Sequence, residues 1–162
     1  MKKNYVLLGL VSLLSLPLAS QAANVSASIQ TTANVEASCS INIDNVEFGD
    51  LSPDNLLNKG VEHEFFVQCS KDKSYTVAVS SGSGSVADRH MTAVDGSSDI
   101  LKYNLYLNNT RAQVLGAGAA DGSVISGVGT GNKESHNFYA YAQAQYVKSG
   151  NYADTLTMNV NY

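Results

Sequence analysis

Read at every second position, NVSASIQTTANVEASCSINI (residues 24–43) is an unbroken alternation. Val25, Ala27, Ile29, Thr31, Ala33, Val35, Ala37, Cys39, Ile41 and Ile43 fall on one side, with Ser, Gln, Thr, Asn and Glu between them. Period-2 alternation is the pattern of a strand with one buried face. As a single strand it would stretch roughly 60 Å, whereas strands in globular domains usually run about 5–6 residues. No small domain has a use for a strand of that length.

The 22 residues ahead of it read as a leader. Lys2 and Lys3 form a positive start, Tyr5 to Leu16 a short apolar run, and Ser20-Gln21-Ala22 a small-x-small cleavage site, with cleavage expected after Ala22. The apolar run is too short for a membrane span, and no other stretch approaches one. No cysteine stands at the cleavage site, which argues against a lipoprotein. The chain is therefore read as exported, from a bacterium. The mature part, 140 of the 162 residues, suits one domain. The leader holds two lysines and no acid, so its removal takes the net charge from −4 to −6. An acidic chain without basic clusters argues against nucleic acids and anionic membrane surfaces as partners. Two cysteines in an exported chain most simply form one disulfide, Cys39 to Cys69. Free reactive thiols and a metal pair are the alternatives.

Strand patterns follow one another with Gly, Ser, Asn and Asp between them, and helical periodicity is nearly absent. Val61, His63, Phe65, Val67 and Cys69 alternate, then Tyr75, Val77 and Val79. Leu101, Tyr103, Leu105 and Leu107 make the next set, and Asn108-Asn109 is expected to take positive φ and turn the chain back towards Leu115. Phe138, Ala140, Ala142, Ala144 and Tyr146 form another set, and TLTMNVNY closes the chain with Leu156, Met158, Val160 and Tyr162 facing one way. Short strands at this spacing predict an all-β sandwich.

Catalytic patterns are missing from this frame. His63, His90 and His136 are scattered, without metal-ligand spacing, and no G-x-S-x-G elbow occurs. Asp88-Arg89-His90 reads as a solvated loop end. GAGAADGSVISGVGTG (116–131) does not run from a strand into a helix, as a phosphate-binding loop must, so it reads as a flexible loop or a poorly sided strand. Asn24 and Asn108 open glycosylation sequons, a signal of little weight in a bacterial chain. No enzyme, cofactor or metal is expected.

An early Cys39, a second Cys69 on the next long strand, LKYNLY (101–106) and the ending GNYADTLTMNVNY (150–162) together resemble the spore coat protein U family. That family includes the subunits of archaic chaperone–usher pili. The ending, G-x-Y-x-D-T followed by an alternating strand, carries the resemblance most specifically. What it implies is an incomplete immunoglobulin-like β-sandwich completed by donor-strand exchange. A periplasmic chaperone fills the open groove first, and the N-terminal extension of the next subunit replaces it at an outer-membrane usher.

On that reading the opening alternation divides. Residues 1–22 are the signal peptide, 23–32 the donor strand and 33–162 the pilin domain, with the domain's own first strand over about 33–43. Val25, Ala27, Ile29 and Thr31 are the donor residues. Leu156, Met158, Val160 and Tyr162 line one wall of the acceptor groove. An apolar last strand whose edge nothing covers is an aggregation hazard unless something pairs with it. The expected function is a shaft subunit, in a homopolymer or mixed fibre at the cell surface, serving adhesion and biofilm formation. The alternative is a self-complete secreted β-sandwich that binds a ligand or coats a surface as a monomer.

Overall fold

The computed structural model describes residues 23–52 and 59–162, and the expected signal peptide lies outside the described residues. The chain divides into two units, Met1–Asn34 and Val35–Tyr162. In the first, residues 23–34 form neither helix nor strand and every side chain is exposed, Val25 at 96% and Ile29 at 89%.

The second unit is all-β among the described residues. Its strands are β1 (Cys39–Ile43), β2 (Lys59–Cys69), β3 (Ser74–Val79), β4 (Arg89–Ala93), β5 (Ile100–Tyr106), β6 (Ile125–Val128), β7 (Glu134–Ala142), β8 (Tyr152–Ala153) and β9 (Met158–Asn161). Every strand pairing is antiparallel. One sheet has the order β1-β2-β7-β5-β4-β8, and the second is only β6-β3-β9. The core lies between them. Phe65 and Val67 of β2, Val77 and Val79 of β3, Leu101 and Leu105 of β5, and Phe138 and Ala140 of β7 are all buried. These are the alternating residues of the sequence pattern, as a sandwich with one inward face per sheet requires.

Three expectations change at element ends. The first strand begins at Cys39 and not near residue 33, because pairing starts where Cys39 faces Cys69 at the end of β2. Before that point no strand among the described residues pairs with the chain, and residues 35–38 stay exposed. The alternation through Tyr146 also outlasts its strand. β7 stops at Ala142, and Ala144 and Tyr146 are exposed. Beyond it the Gln145 amide takes over the pairing: Oε1 accepts from Lys102 N at 2.8 Å and Nε2 donates to Lys102 O at 2.7 Å. Finally, the turn after β5 does return the chain, with Tyr106 opposite Val114, but the positive φ falls on Arg111. Asn108 contributes its side chain instead, Oδ1 accepting from the Thr110 N–H at 3.1 Å.

Cys39 and Cys69 are joined by a disulfide. Beside it Ser70 N donates to Ser38 O at 2.9 Å, and Ser38 N donates to Ser70 Oγ at 2.9 Å. The edge strand is thus fixed covalently at the residue where it begins. In the Gly-rich stretch, residues Ile125–Val128 form the short strand β6 with alternate residues half-buried, and the rest of 116–131 lies outside the named strands.

Candidate functional site

Six strands cannot be covered by three. Where the smaller sheet ends at β9, the inward face of the larger sheet stays open, and two adjoining cavities mark the gap. The larger, about 560 Å³, has Ile43–Glu47 along one side and Ala153–Met158 along the other, with Val79, Met91, Tyr103, Leu105 and Phe138 at its base. The smaller, about 400 Å³, continues between Val46–Leu51 and Val147–Tyr152, over Met91 and Leu101. Together they make one trough walled by residues 43–51 and 147–158.

The walls follow from local sequence. Along 155–162 alternate residues turn inward, and Leu156, Met158 and Val160 are half-buried while Thr155, Thr157 and Asn159 are exposed. β9 pairs with β3 on one side, Val160 opposite Val77, and closes the sheet order on the other. Its outer edge therefore has no strand partner among the described residues. The opposite wall leaves β1 after Ile43 and forms no strand over 44–52, yet Val46, Phe48 and Leu51 pack against the core. Phe48 meets Tyr103 edge-on, ring centroids 6.0 Å apart. Of the four residues assigned to the groove wall, Leu156 and Met158 line the larger cavity. Val160 packs against the core without lining it, and Tyr162 is 55% exposed. The residues missed from sequence are those of the facing wall and base: Val46, Phe48, Met91 and Tyr103.

The G-x-Y-x-D-T motif holds the second wall in place. Asp154 Oδ1 accepts from Ser83 N at 3.0 Å, Ser83 Oγ at 2.8 Å and Thr155 N at 2.9 Å, and Oδ2 accepts from the Tyr103 hydroxyl at 2.7 Å. Gly82 lies so close that a Cβ there would sit 2.2 Å from Asp154 Oδ2, and its φ is +67°. Burial, and then the hydrogen bond and charge of Asp154, push the Tyr103 hydroxyl pKa well above the usual phenol range.

Asp88-Arg89-His90 is not a solvated loop end at its centre. Arg89 is fully buried, and its guanidinium crosses between the sheets. Nη1 donates to Asn104 Oδ1 at 2.7 Å, and Nη2 and Nε donate to Ser80 O at 2.8 and 3.1 Å. Burial holds its pKa below the usual arginine value, opposed by the charges of Tyr103 and Asp154. A planar fork can satisfy several carbonyls at once, which makes a buried cation tolerable here. No sequence period marks this, since Arg89 follows a Gly/Ser loop.

Two of the three histidines, His63 and His136, make contacts within the fold, whereas His90 Nδ1 is buried without a hydrogen-bond partner. His136 Nε2 lies 2.7 Å from the Tyr75 hydroxyl, His63 Nε2 lies 3.0 Å from Asp44 O, and the ring of His63 packs on Phe138. Among the described residues no group of three His, Cys, Asp or Glu side chains is placed to hold a metal.

No curated protein sequence matches the chain. Two solved structures share the architecture. One is a chain of the chaperone–tip adhesion subunit pre-assembly complex CsuC–CsuE from archaic chaperone–usher Csu pili of Acinetobacter baumannii. It superposes with a TM-score of 0.60 at 20% identity, over 79% of this chain and 40% of that one. The chain thus spans well under half the length of that structure. The other is the P pilus rod subunit PapA, with a TM-score of 0.55 at 15% identity, over 83% of this chain and 99% of that one. At these identities the likeness establishes the fold, the immunoglobulin-like sandwich of pilin subunits. The Spore Coat Protein U domain matches residues 25–159, most of the chain, and the protein belongs to that family of structural, non-enzymatic proteins.

Proposed function

We propose that the chain is a shaft subunit of a chaperone–usher pilus and polymerises by donor-strand complementation. Residues 23–32 of one copy would form the donor strand, with Val25, Ala27, Ile29 and Thr31 entering the trough of the next copy. One observation carries the reading: a trough with an apolar base and partly polar walls, beside the free edge of β9, occurs in a chain with an exposed, alternating apolar segment. Residues 24–32 as a nine-residue strand would span about 30 Å. A strand laid there would pair with the free edge and cover the core in one step.

In this reading a periplasmic chaperone occupies the trough before assembly, and an outer-membrane usher catalyses the replacement. The product is a homopolymer or mixed fibre at the cell surface, with a role in adhesion and biofilm formation. The signal peptide over 1–22 supplies export. The family and the pilin fold of the solved structures support the same assignment.

The test uses the full chain co-expressed with its chaperone. Deleting residues 24–32 should leave the chaperone complex intact and abolish fibres. Burying an isoleucine stabilises by about 1.5–3 kcal/mol, and an unpaired buried carboxylate adds several more of cost. Ile29→Asp should therefore also block fibres while sparing the chaperone complex, whereas Val160→Asp should lose both. Normal fibres from Ile29→Asp would rule out the donor assignment. A monomer stable without a chaperone, with residues 24–32 docked on their own sheet, would favour the self-complete alternative.

A further inference from the structure

β5 pairs with β7 only as far as Tyr106 opposite Tyr139, whereas β7 extends back to Glu134. Beyond Tyr106 the chain leaves the sheet, and Leu107 N donates to Gln113 O at 3.0 Å. The parting opens a notch of about 150 Å³, bordered by Glu62, Asn108, Asn109, Asn137 and Tyr139. Glu62, Asn137 and Tyr139 alternate with the inward residues of β2 and β7, so they stand on the outer face of the larger sheet, away from the trough.

The glycine at position 60 sets the pose of Tyr139. A Cβ there would overlap the Tyr139 hydroxyl and Cζ, so the phenol occupies the space of the missing side chain. Gly60 pairs with Tyr141 and Glu62 with Tyr139, so the ring leans diagonally across β2. Glu62 Oε1 accepts from Asn137 Nδ2 at 3.2 Å, which holds these two planar groups side by side and leaves Glu62 Oε2 and Asn137 Oδ1 as acceptors. Asn108 Oδ1 accepts from Thr110 N at 3.1 Å, leaving its Nδ2 as a donor.

An aromatic ring bordered by planar acceptors and donors matches a sugar ring. The C–H bonds of a pyranose, polarised by its oxygens, lie against the electron-rich face of a phenol, and its neighbouring hydroxyls both donate and accept. Glu62 is the one charged residue lining the notch, which disfavours an acidic ligand. Arg111, close by in the chain, is turned onto the Tyr141 ring, 4.1 Å from its centroid. The volume is well below the roughly 300–1,000 Å³ of sites for larger ligands. We infer that this notch binds a single neutral pyranose ring, such as the terminal sugar of a surface glycan, stacked on Tyr139 and hydrogen-bonded by Glu62, Asn137 and Asn108. The site goes beyond the donor-strand reading and does not depend on it. Repeated along a fibre, a weak site of this kind gains avidity from many simultaneous contacts.

The test titrates the isotope-labelled full-length subunit, co-purified with its chaperone, with the methyl glycosides of glucose, galactose, mannose and N-acetylglucosamine. At least one should shift the side-chain amides of Asn108, Asn109 and Asn137 saturably, with a Kd of about 1–10 mM. Tyr139→Ala should weaken that sugar at least tenfold. Gly60→Ala, which displaces the ring without removing it, should do the same. The uronide of the sugar that binds best should bind at least tenfold more weakly, and Glu62→Gln should narrow that gap to within about threefold. Tyr139→Ala and Gly60→Ala should still form fibres, since neither residue borders the trough. Absence of a saturable shift with all four glycosides overturns the site, and so does an affinity unchanged by Tyr139→Ala, which marks an adventitious contact. Where Tyr139→Ala fails to fold, Gly60→Ala and Glu62→Gln decide in its place. Loss of fibres in the natural chain would overturn the donor-strand reading alone.

Discussion

The Tyr103 hydroxyl, from β5 at the base of the trough, donates to Asp154 Oδ2 at 2.7 Å and so ties the larger sheet to the wall that leads into β9. Asp154 accepts three further hydrogen bonds, two of them from Ser83, which brings a loop of the smaller sheet to the same carboxylate. A hydrogen bond to a charged group contributes about 1.5–3 kcal/mol. Tyr103→Phe should cost about 1–2 kcal/mol, since Asp154 Oδ2 loses one donor while the ring still packs. Asp154→Ala should cost more, about 3 kcal/mol, because several donors lose their acceptor together. Urea unfolding of the subunit–chaperone complex and of fibres measures both, and equal costs for the two variants would contradict the arrangement.

The same contact sets a pH dependence. The Tyr103 pKa is raised in the folded protein by burial, and then by Asp154, while an unfolded tyrosine titrates near 10. A raised pKa favours the protonated form, so its contribution to stability is fully present below pH 10 and is lost as pH rises beyond it. Tyr75, raised by burial and by Glu134, acts in the same direction. Base unfolding should therefore begin above pH 10, with phenolate absorbance rising in step with unfolding. In Tyr103→Phe that stability loss should be shallower. An unchanged alkaline profile in the variant would remove Tyr103 from the account.

Arg89 should be the costliest polar position. Arg89→Met leaves the Ser80 carbonyl, which accepts from both Nε and Nη2, without its donor, while Asn104 Oδ1 keeps only the Leu105 N–H. One orphaned carbonyl costs about 1–3 kcal/mol and the lost bond to Asn104 about 1 kcal/mol more, giving a loss of about 2–4 kcal/mol. Arg89→Lys keeps the charge but loses the planar fork, and should recover less than half of the loss. Denaturant midpoints of the three proteins decide this, and a loss under 1 kcal/mol for Arg89→Met would mean that Asn104 and Ser80 find other partners.

Removing the disulfide with Cys39→Ser and Cys69→Ser together should cost about 3.5–4 kcal/mol for a closed loop of this size in the chain-entropy model. Cys69 is 1% exposed, so thiol reagents should label native protein only after reduction. Quantitative labelling of untreated protein would show the bond absent.

The alternation of the chain determined the strand faces. Phe65 and Val67, Tyr75 and Val77, Leu101 and Leu105, and Phe138 and Ala140 are buried as their parity requires, because a strand's side chains must alternate wherever its neighbours lie. Parity also placed Cys39 and Cys69 on the same inward set. Three things required the tertiary structure. Strand ends depend on where partners stop, so neither Ala33–Ala37 nor Ala144–Tyr146 extends a sheet although both keep the alternation. Arg89 is buried because Val79, Ser80, Val86 and Asn104 converge on it from three separate stretches of chain. The trough likewise arises from the mismatch between six strands and three, and Val46 and Met91, which line both of its cavities, are 45 positions apart in the chain. Local sequence fixes which way a side chain faces, and only the assembled sheets fix what it faces.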